Sequence, residues 1–258
     1  MSDGHAQRVR AQFGAVAAAY VTSAGHAGGE DLEQLLAWGR RVRPRRVLDV
    51  ATGAGHTALA FAGLGARVTA FDLTEPMLAA ARAFVAGRGV ADVRFVAGDV
   101  EALPFTAQVF DVVTCRIAAH HFANVGAAVR QMAGALRPGG SLLIQDILGH
   151  DDAQARAFIT AVERRRDPTH VRAYRAVEWS ALLKGAGLTV MDERVLAKTR
   201  PWDDWTRRTQ MTAGARADLE AFVGAADASV CEAFDFRLAG GRIESFSDRM
   251  ILLRADRD

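Results

Sequence analysis

Apolar residues in this chain fall into short unbroken runs separated by amphipathic stretches. Such runs occupy 46–50, 67–71, 93–97, 109–115 and 141–146. Their length suits strands buried on both faces. Between them, 56–64, 75–87 and 123–136 carry apolar residues at helical spacing. Strands alternating with helices predict a parallel sheet wound by right-handed crossovers. The pair Gly139–Gly140 is expected to close the helix at 123–136 before the last of these strands. Upstream, Phe13, Val16 and Tyr20, then Leu32, Leu35 and Leu36, mark two helices broken by the glycines of A-G-H-A-G-G-E at 24–30. Downstream, 148–186 reads as mainly helical and 187–198 alternates like a strand. W-D-D-W-T-R-R-T-Q and A-R-A-D-L-E-A-F-V-G-A-A read as helices. The C-terminal stretch from Phe234 reads as strands turned at Gly240–Gly241.

The fold class predicted is α/β: a Rossmann-like doubly wound sheet, mostly parallel with an antiparallel C-terminal strand, plus helical lid segments. Composition adds little to this. The chain has 258 residues, of which 50% are hydrophobic and 24% charged, with a formal net charge of +2. That is an ordinary globular balance, without the basic excess that nucleic acid or an anionic membrane would call for. Cys115 and Cys231 stand far apart and form no metal-ligand spacing. The start lacks the apolar segment of a secretory signal, and no run approaches membrane-spanning length. A reduced, cytoplasmic protein without metal or integral membrane segment is therefore expected. The sequence leaves the oligomeric state open.

The chemistry begins at V-L-D-V-A-T-G-A-G-H-T-A, residues 47–58. A glycine-rich turn after the first strand lets backbone approach a ligand at the carboxyl edge of the sheet. G-A-G-H-T-A has the form of a dinucleotide fingerprint, and Asp72 lies at the distance of a ribose-binding acid. Asp49 favours a different ligand. A dinucleotide brings a pyrophosphate to this turn, which a carboxylate repels. S-adenosylmethionine brings an ammonium group, which a carboxylate attracts directly or through water. The bland alternative is that Asp49 only caps local backbone.

From Val47 to Asp146 the sequence resembles the class I S-adenosylmethionine-dependent methyltransferases. V-L-D-V-A-T-G-A-G is similar to the family's first motif. V-T-A-F-D-L-T-E-P-M-L resembles its second strand, and V-R-F-V-A-G-D-V-E-A-L-P-F its third. F-D-V-V-T-C-R-I-A-A-H-H-F and L-R-P-G-G-S-L-L-I-Q-D resemble the fourth and fifth. With S-A-G-H-A-G-G-E-D-L and R-D-P-T-H-V-R-A-Y-R-A-V-E-W, they look like the ubiquinone/menaquinone-biosynthesis-type subgroup of small-molecule enzymes. The resemblance implies donor contacts from Asp49, Ala51, Gly53 and Gly55, and from Asp72 on the ribose. It also implies Asp99 on the adenine amino group, the Val100 backbone N–H on the ring, and Arg116. Leu73 and Met77 offer apolar surface to a purine, with core packing as their alternative. Asp99 has a turn-forming role as its alternative. Tyr20 matches the aromatic residue that closes over the methionine end. By this division 1–44 are cap helices, 45–147 the donor-binding core, 148–186 a lid, and 187–258 sheet completion and acceptor cover, all in one domain.

His120 and His121 follow the fourth strand, and Asp146 ends the fifth, on the rim where ligands of such sheets bind. An imidazole can take a proton from a hydroxyl while a carboxylate orients it. The alternative is that one histidine packs under the ligand and the other caps helix 123–136. His26 and His170, the latter among Arg166, Arg172 and Tyr174, are further candidates. Trp202, Trp205, Phe222, Phe234 and Phe236 form either an aromatic pocket or simply core. The expected function is methyl transfer to a small-molecule acceptor, at a phenol, quinol or sugar-like hydroxyl oxygen. Carbon methylation of a quinol ring is the alternative in the same class. An NAD-dependent oxidoreductase and a non-catalytic nucleoside-binding protein are the alternatives outside it. No basic stripe with interleaved aromatics predicts nucleic-acid binding.

Overall fold

The structure is a computed structural model that describes residues 3–23, 27–105 and 107–258; His26 lies outside them. Two helices, α1 (Asp3–Val21) and α2 (Glu30–Val42), precede the sheet. There follow β1 (Arg46–Val50), α3 (His56–Ala62), β2 (Arg67–Asp72), α4 (Glu75–Ala86), β3 (Val93–Ala97), β4 (Phe110–Arg116), α5 (Val125–Ala135) and β5 (Leu136–Ile147). Then come α6 (Ala153–Arg166), α7 (Ala176–Gly185), β6 (Leu188–Pro201), α8 (Trp202–Arg208), α9 (Ala213–Gly224), α10 (Ala228–Ala233), β7 (Arg237–Ala239) and β8 (Arg242–Arg257).

The strands form one eight-stranded sheet in the order β3-β2-β1-β4-β5-β8-β6, with β7 on the far end of β8. β1 through β5 pair in parallel, with Asp49 opposite Ala70 on one side and Thr114 on the other. β8 runs antiparallel to both β5 and β6, which supplies the expected antiparallel C-terminal strand. Both faces of the sheet are covered. On one, Met132 of α5 and Trp179 and Leu183 of α7 close over Leu48, Val113 and Ile144. On the other, Leu35 and Trp38 of α2 and Phe61 of α3 close over Val47, Val68 and Val112. That double cover is why the strands read as continuous apolar runs rather than alternations.

Two local expectations are corrected. Gly139 and Gly140 do not end a helix before a strand. α5 stops at Ala135, and β5 is already paired at Leu136 with Phe110 before the chain bulges out and rejoins at Ser141 opposite Val112. Close approach explains the glycine: a Cβ on Gly140 would stand 2.9 Å from the Arg137 carbonyl oxygen and 3.1 Å from that of Asp111. The start of α5 is capped by Asn124, whose Oδ1 accepts from the Ala127 N–H at 2.9 Å, and not by a histidine.

The segment between Ile147 and Leu188 divides. α7 joins the sheet core, while α6 leaves it and packs with α8, α9 and α10. Ile159, Val162, Trp202, Trp205, Leu219 and Phe246 are buried there in a second apolar cluster. Phe236 stacks on Phe246 and Trp205 meets the same ring edge-on at 4.8 Å, so these aromatics are largely core. Leu35 is fully buried between α2 and the sheet. Leu35→Ala is therefore expected to cost about 2–5 kcal/mol in urea unfolding. A cost below about 1 kcal/mol would contradict the packing described for α2.

Candidate active site

The strand order reverses at β1, where the crossover from β3 carries the chain across to β4. At such a reversal neighbouring connections leave in opposite directions and open a crevice at the strand ends. Here the crevice is a cleft of about 950 Å³, roofed by Phe13 and Tyr20 of α1. Asp49, Ala51, Gly53, Asp72, Leu73, Met77, Val100 and Arg116 all line it, as do Tyr20 and His121. Gly55 and Asp99 do not. Gly55 sits behind the turn at φ 84°, where a Cβ would press to 3.1 Å on that of Ala81 in α4. Asp99 turns its Oδ1 to the Glu101 N–H at 2.9 Å, capping the short turn Val100–Ala102, while its neighbours Gly98 and Val100 form the wall.

The cleft's acids are held by different partners. Asp49 is buried, and its two carboxylate oxygens accept from the hydroxyls of Thr52 (2.6 Å) and Thr114 (2.7 Å). Burial pushes its carboxyl up to about 6, a rise that the two hydroxyls only partly offset. Asp72 accepts from the backbone N–H groups of Gly53 and Thr74, each at 2.9 Å, and burial raises its carboxyl too. Arg116 is buried between Gln145 Oε1 (2.7 Å) and Asp31 Oδ2 (2.8 Å). Gly53 has φ 54°, and nothing in the protein lies within 4 Å of where its Cβ would be. Its open side faces the cleft. α1 is pinned over the cleft at both ends. His5 Nε2 donates to the His121 carbonyl oxygen at 2.8 Å, and His56 Nε2 donates to that of Tyr20 at 3.0 Å.

Beside the cleft, and sharing Phe13, Tyr20, Ile117 and His121 with it, lies a second cavity of about 420 Å³ between the sheet and the α6–α10 layer. His120 lines this second cavity. Its Nδ1 lies 2.5 Å from Asp146 Oδ1, and its backbone N–H donates to Asp146 Oδ2 at 2.9 Å. The same acid accepts the Ile147 N–H at 2.7 Å. Asp146 thereby holds the imidazole by side chain and backbone at once, with Nε2 turned away from the acid. Burial alone would lower the His120 pKa, but the charge and hydrogen bond of Asp146 outweigh it and the pKa is raised above 6.5.

His121 differs. The Thr169 hydroxyl donates to Asp167 Oδ1 at 2.6 Å, so it has only a lone pair to offer His121 Nδ1 at 3.1 Å. That assigns the Nδ1–H tautomer to a neutral His121. Burial, with His120 beside it at 4.1 Å between rings, pushes His121 down to about 3. It is a weak base, whereas the pKa of His120 is moved in the opposite direction. His170 is buried behind His120, with ring centroids 5.3 Å apart, and lines neither cavity; burial and the two other imidazoles lower its pKa. Of its sequence neighbours, Arg172 pairs with Glu178 at 2.8 Å and Tyr174 packs on Trp179. Among the described residues no three His, Cys, Asp or Glu side chains converge to hold a metal ion.

Sequence reasoning missed His5 and His56, whose role depends on how α1 lies across the strands. It also missed Arg200 and Arg208, which reach the second cavity from β6 and α8.

A parallel sheet with this reversal, a glycine turn open to a ligand, and acids at two adjacent strand ends define a nucleoside-binding α/β enzyme core. Residues 48–144 match a family described as a methyltransferase domain. YcgJ of Bacillus subtilis, an uncharacterized methyltransferase, is 38% identical over 194 residues, covering 75% of each chain. Its crystal structure superposes with a TM-score of 0.82, covering 87% of this chain and 98% of that one at 32% identity. A Bacillus halodurans C-125 protein described as a candidate methyltransferase superposes at 0.85, with 37% identity over 89% of this chain and 99% of that one. The ubiquinone/menaquinone biosynthesis C-methyltransferase UbiE of Azotobacter vinelandii is 40% identical over 106 residues, 40% of this chain and 42% of its own length. This chain belongs to the class I S-adenosylmethionine-dependent methyltransferases. Among the described residues no helix is long and apolar enough to cross a membrane.

Because the Gly53 side chain would project into open cleft, Gly53→Ala should leave the fold nearly intact apart from the left-handed backbone strain of ~1–2 kcal/mol. Calorimetry is expected to show a loss of about tenfold or more in affinity for S-adenosylhomocysteine. Unchanged affinity would mean that the ligand keeps away from this turn.

Proposed function

We propose that this enzyme methylates a hydroxyl oxygen of a small molecule held in the second cavity, with His120 taking the hydroxyl proton and Asp146 positioning His120. The observation that carries the proposal is the His120–Asp146 pair, with His120 on the wall of the cavity that adjoins the donor cleft. S-adenosylmethionine supplies an electrophilic methyl on a sulfonium. On that proposal the hydroxyl oxygen attacks in line, its O–H proton passes to His120 Nε2, an O–CH₃ bond forms and the S–CH₃ bond breaks. The bonding pair stays on sulfur as the neutral thioether. Base assistance of this kind is worth ~10²–10⁴-fold, and alignment of the two reactants supplies much of the rest.

The residues of the cleft suit the donor. Asp49 and Arg116 offer opposite charges to the ammonium and carboxylate of its amino-acid end. Asp72 is placed for the ribose hydroxyls, and Leu73, Met77 and the Val100 backbone for the purine. Tyr20 closes over the methionine end. Carbon methylation, the activity named for UbiE, would use the same base on a ring hydroxyl, and product NMR separates an O-methyl from a ring methyl.

Two measurements test the assignments. Only neutral imidazole accepts a proton, and His120 is raised above 6.5. The rate constant kcat/KM should therefore climb with pH to a plateau, with a midpoint above 6.5. Asp146→Asn should move that midpoint down, and His120→Ala should lower kcat by ~10²–10⁴. A profile unchanged in His120→Ala would remove His120 as the base. For the donor, Asp49 ionises only above about 6. Affinity for S-adenosylhomocysteine should rise between about pH 5 and about pH 7 as the carboxylate forms opposite the ligand's ammonium. Asp49→Asn should flatten that dependence; a slope that persists would assign it to another group.

A further inference from the structure

Three arginines and one acid line the second cavity. Arg166 of α6, Arg200 of β6 and Arg208 of α8 line it, against Glu163 alone among acids. Each arginine comes from a different element, so their convergence is a product of the tertiary fold. Arg200 is satisfied from behind: its Nε donates to Asp248 Oδ2 at 2.6 Å, and its Nη2 approaches Met250 Sδ at 3.3 Å. Arg166 is half satisfied. Its Nη1 donates to the Trp205 carbonyl oxygen at 3.3 Å and its guanidinium lies 4.4 Å over the Trp205 ring. Its Nε stands 3.4 Å from Glu163 Oε2, but it is buried without a hydrogen bond. The Arg208 side chain makes no hydrogen bond and no ion pair among the described residues, with Asp204 and Tyr20 the favourable charges near it.

Glu163 and Asp167 are set against Arg166 and Asp248 against Arg200, while Arg208 has the charge of Asp204 nearby but no carboxylate on its guanidinium fork. Around these groups the walls are apolar: Phe13, Ile117, Ile147 and Trp205. His120 stands in the same wall.

We infer that the acceptor is a small carboxylic acid with an apolar, ring-sized body, whose carboxylate docks on Arg208 and the free edge of Arg166 while its hydroxyl faces His120. The inference rests on the methyl-transfer assignment above and adds the class of acceptor. A carboxylate matches the fork of the Arg208 guanidinium, which no carboxylate of the described residues occupies. A phosphate monoester brings ≈ −1.5 to −2 charges and would overfill the site beside Glu163.

The test uses the full chain saturated with S-adenosylhomocysteine, with quenching of tryptophan fluorescence or calorimetry as the readout. The probes are 4-hydroxybenzoate, 4-hydroxyphenylacetate and 4-hydroxycinnamate. Each is compared with its neutral amide, and 4-hydroxyphenyl phosphate serves as the phosphate arm. At least one carboxylate is expected to bind about tenfold or more tightly than its amide, as a charge-assisted contact warrants. It should also bind more tightly than the phosphate. Arg208→Met should erase the preference while S-adenosylhomocysteine binds as before, because Arg208 lines the second cavity and not the donor cleft. Arg208→Lys, which keeps the charge without the fork, should retain part of it. No carboxylate preferred over its amide, tighter binding of the phosphate, or a preference undiminished in Arg208→Met would each overturn the inference. Failure of S-adenosylhomocysteine to bind would register separately, before any probe is added, and would strike the donor assignment instead.

Discussion

Everything at the functional end of this molecule depends on β1 pairing in parallel with β2 on one side and β4 on the other. Parallel pairing sends the carboxyl ends of five strands to one rim. The reversal of winding at β1 keeps the connections apart there, so the rim opens instead of closing over. The glycine turn after β1, the acid that ends β2 and the histidine loop after β4 then face one crevice. The antiparallel β8 extends the same rim, because its long pairing with β6 carries the sheet beyond Ile147 to where α8 can be hung over it. The two cavities are thus consequences of one sheet: the first lies at its switch point, the second between the sheet and the layer that β6 and β8 support.

The rim is also where the fold places charge it must then manage. Asp49, Asp72 and Asp146 are each nearly inaccessible, and a buried carboxylate is costly unless its lone pairs are occupied. Each is handled differently. Asp49 takes two threonine hydroxyls, neutral donors that leave its charge largely uncompensated and its pKa high. Asp72 takes two backbone N–H groups from the turns beside it, and in doing so fixes those turns. Asp146 takes an imidazole and two backbone N–H groups, so its charge is met and the imidazole's basicity rises. The difference shows three acids on one rim of the sheet held in three different ways, as the proposed tasks of cation binding, hydroxyl recognition and support of a base would require.

The adjacent pair His120–His121 shows how far position alone distinguishes residues. The two rings are in contact and equally close to the rim in sequence. One faces a carboxylate, the other a threonine hydroxyl whose proton is already committed to Asp167. Their basicities are driven in opposite directions, and that separation is what the proposed proton-accepting role of His120 rests on. Asp99 and Gly55 make the complementary point. Both belong to motifs at the cleft, yet one caps a turn and the other gives room for helix packing, because a motif includes the residues that shape a wall as well as those that form it.

By itself the sequence determined the strand–helix alternation, the parallel sheet, the glycine turn and the acids at the strand ends. These are local: each follows from apolar run length, the steric freedom of glycine, or a polar residue ending a buried run. Asp49 could be read as favouring a cationic ligand because the residue and the turn lie within a few positions of each other. The tertiary structure decided what depends on distant partners. The bulge at Gly139–Gly140 is set by the backbone of Asp111 across the sheet. The separation of α7 from α6 is set by which apolar cluster each can complete. The convergence of Arg166, Arg200 and Arg208 leaves no sequence pattern at all, since charge balance at a cavity is a sum over elements far apart in the chain.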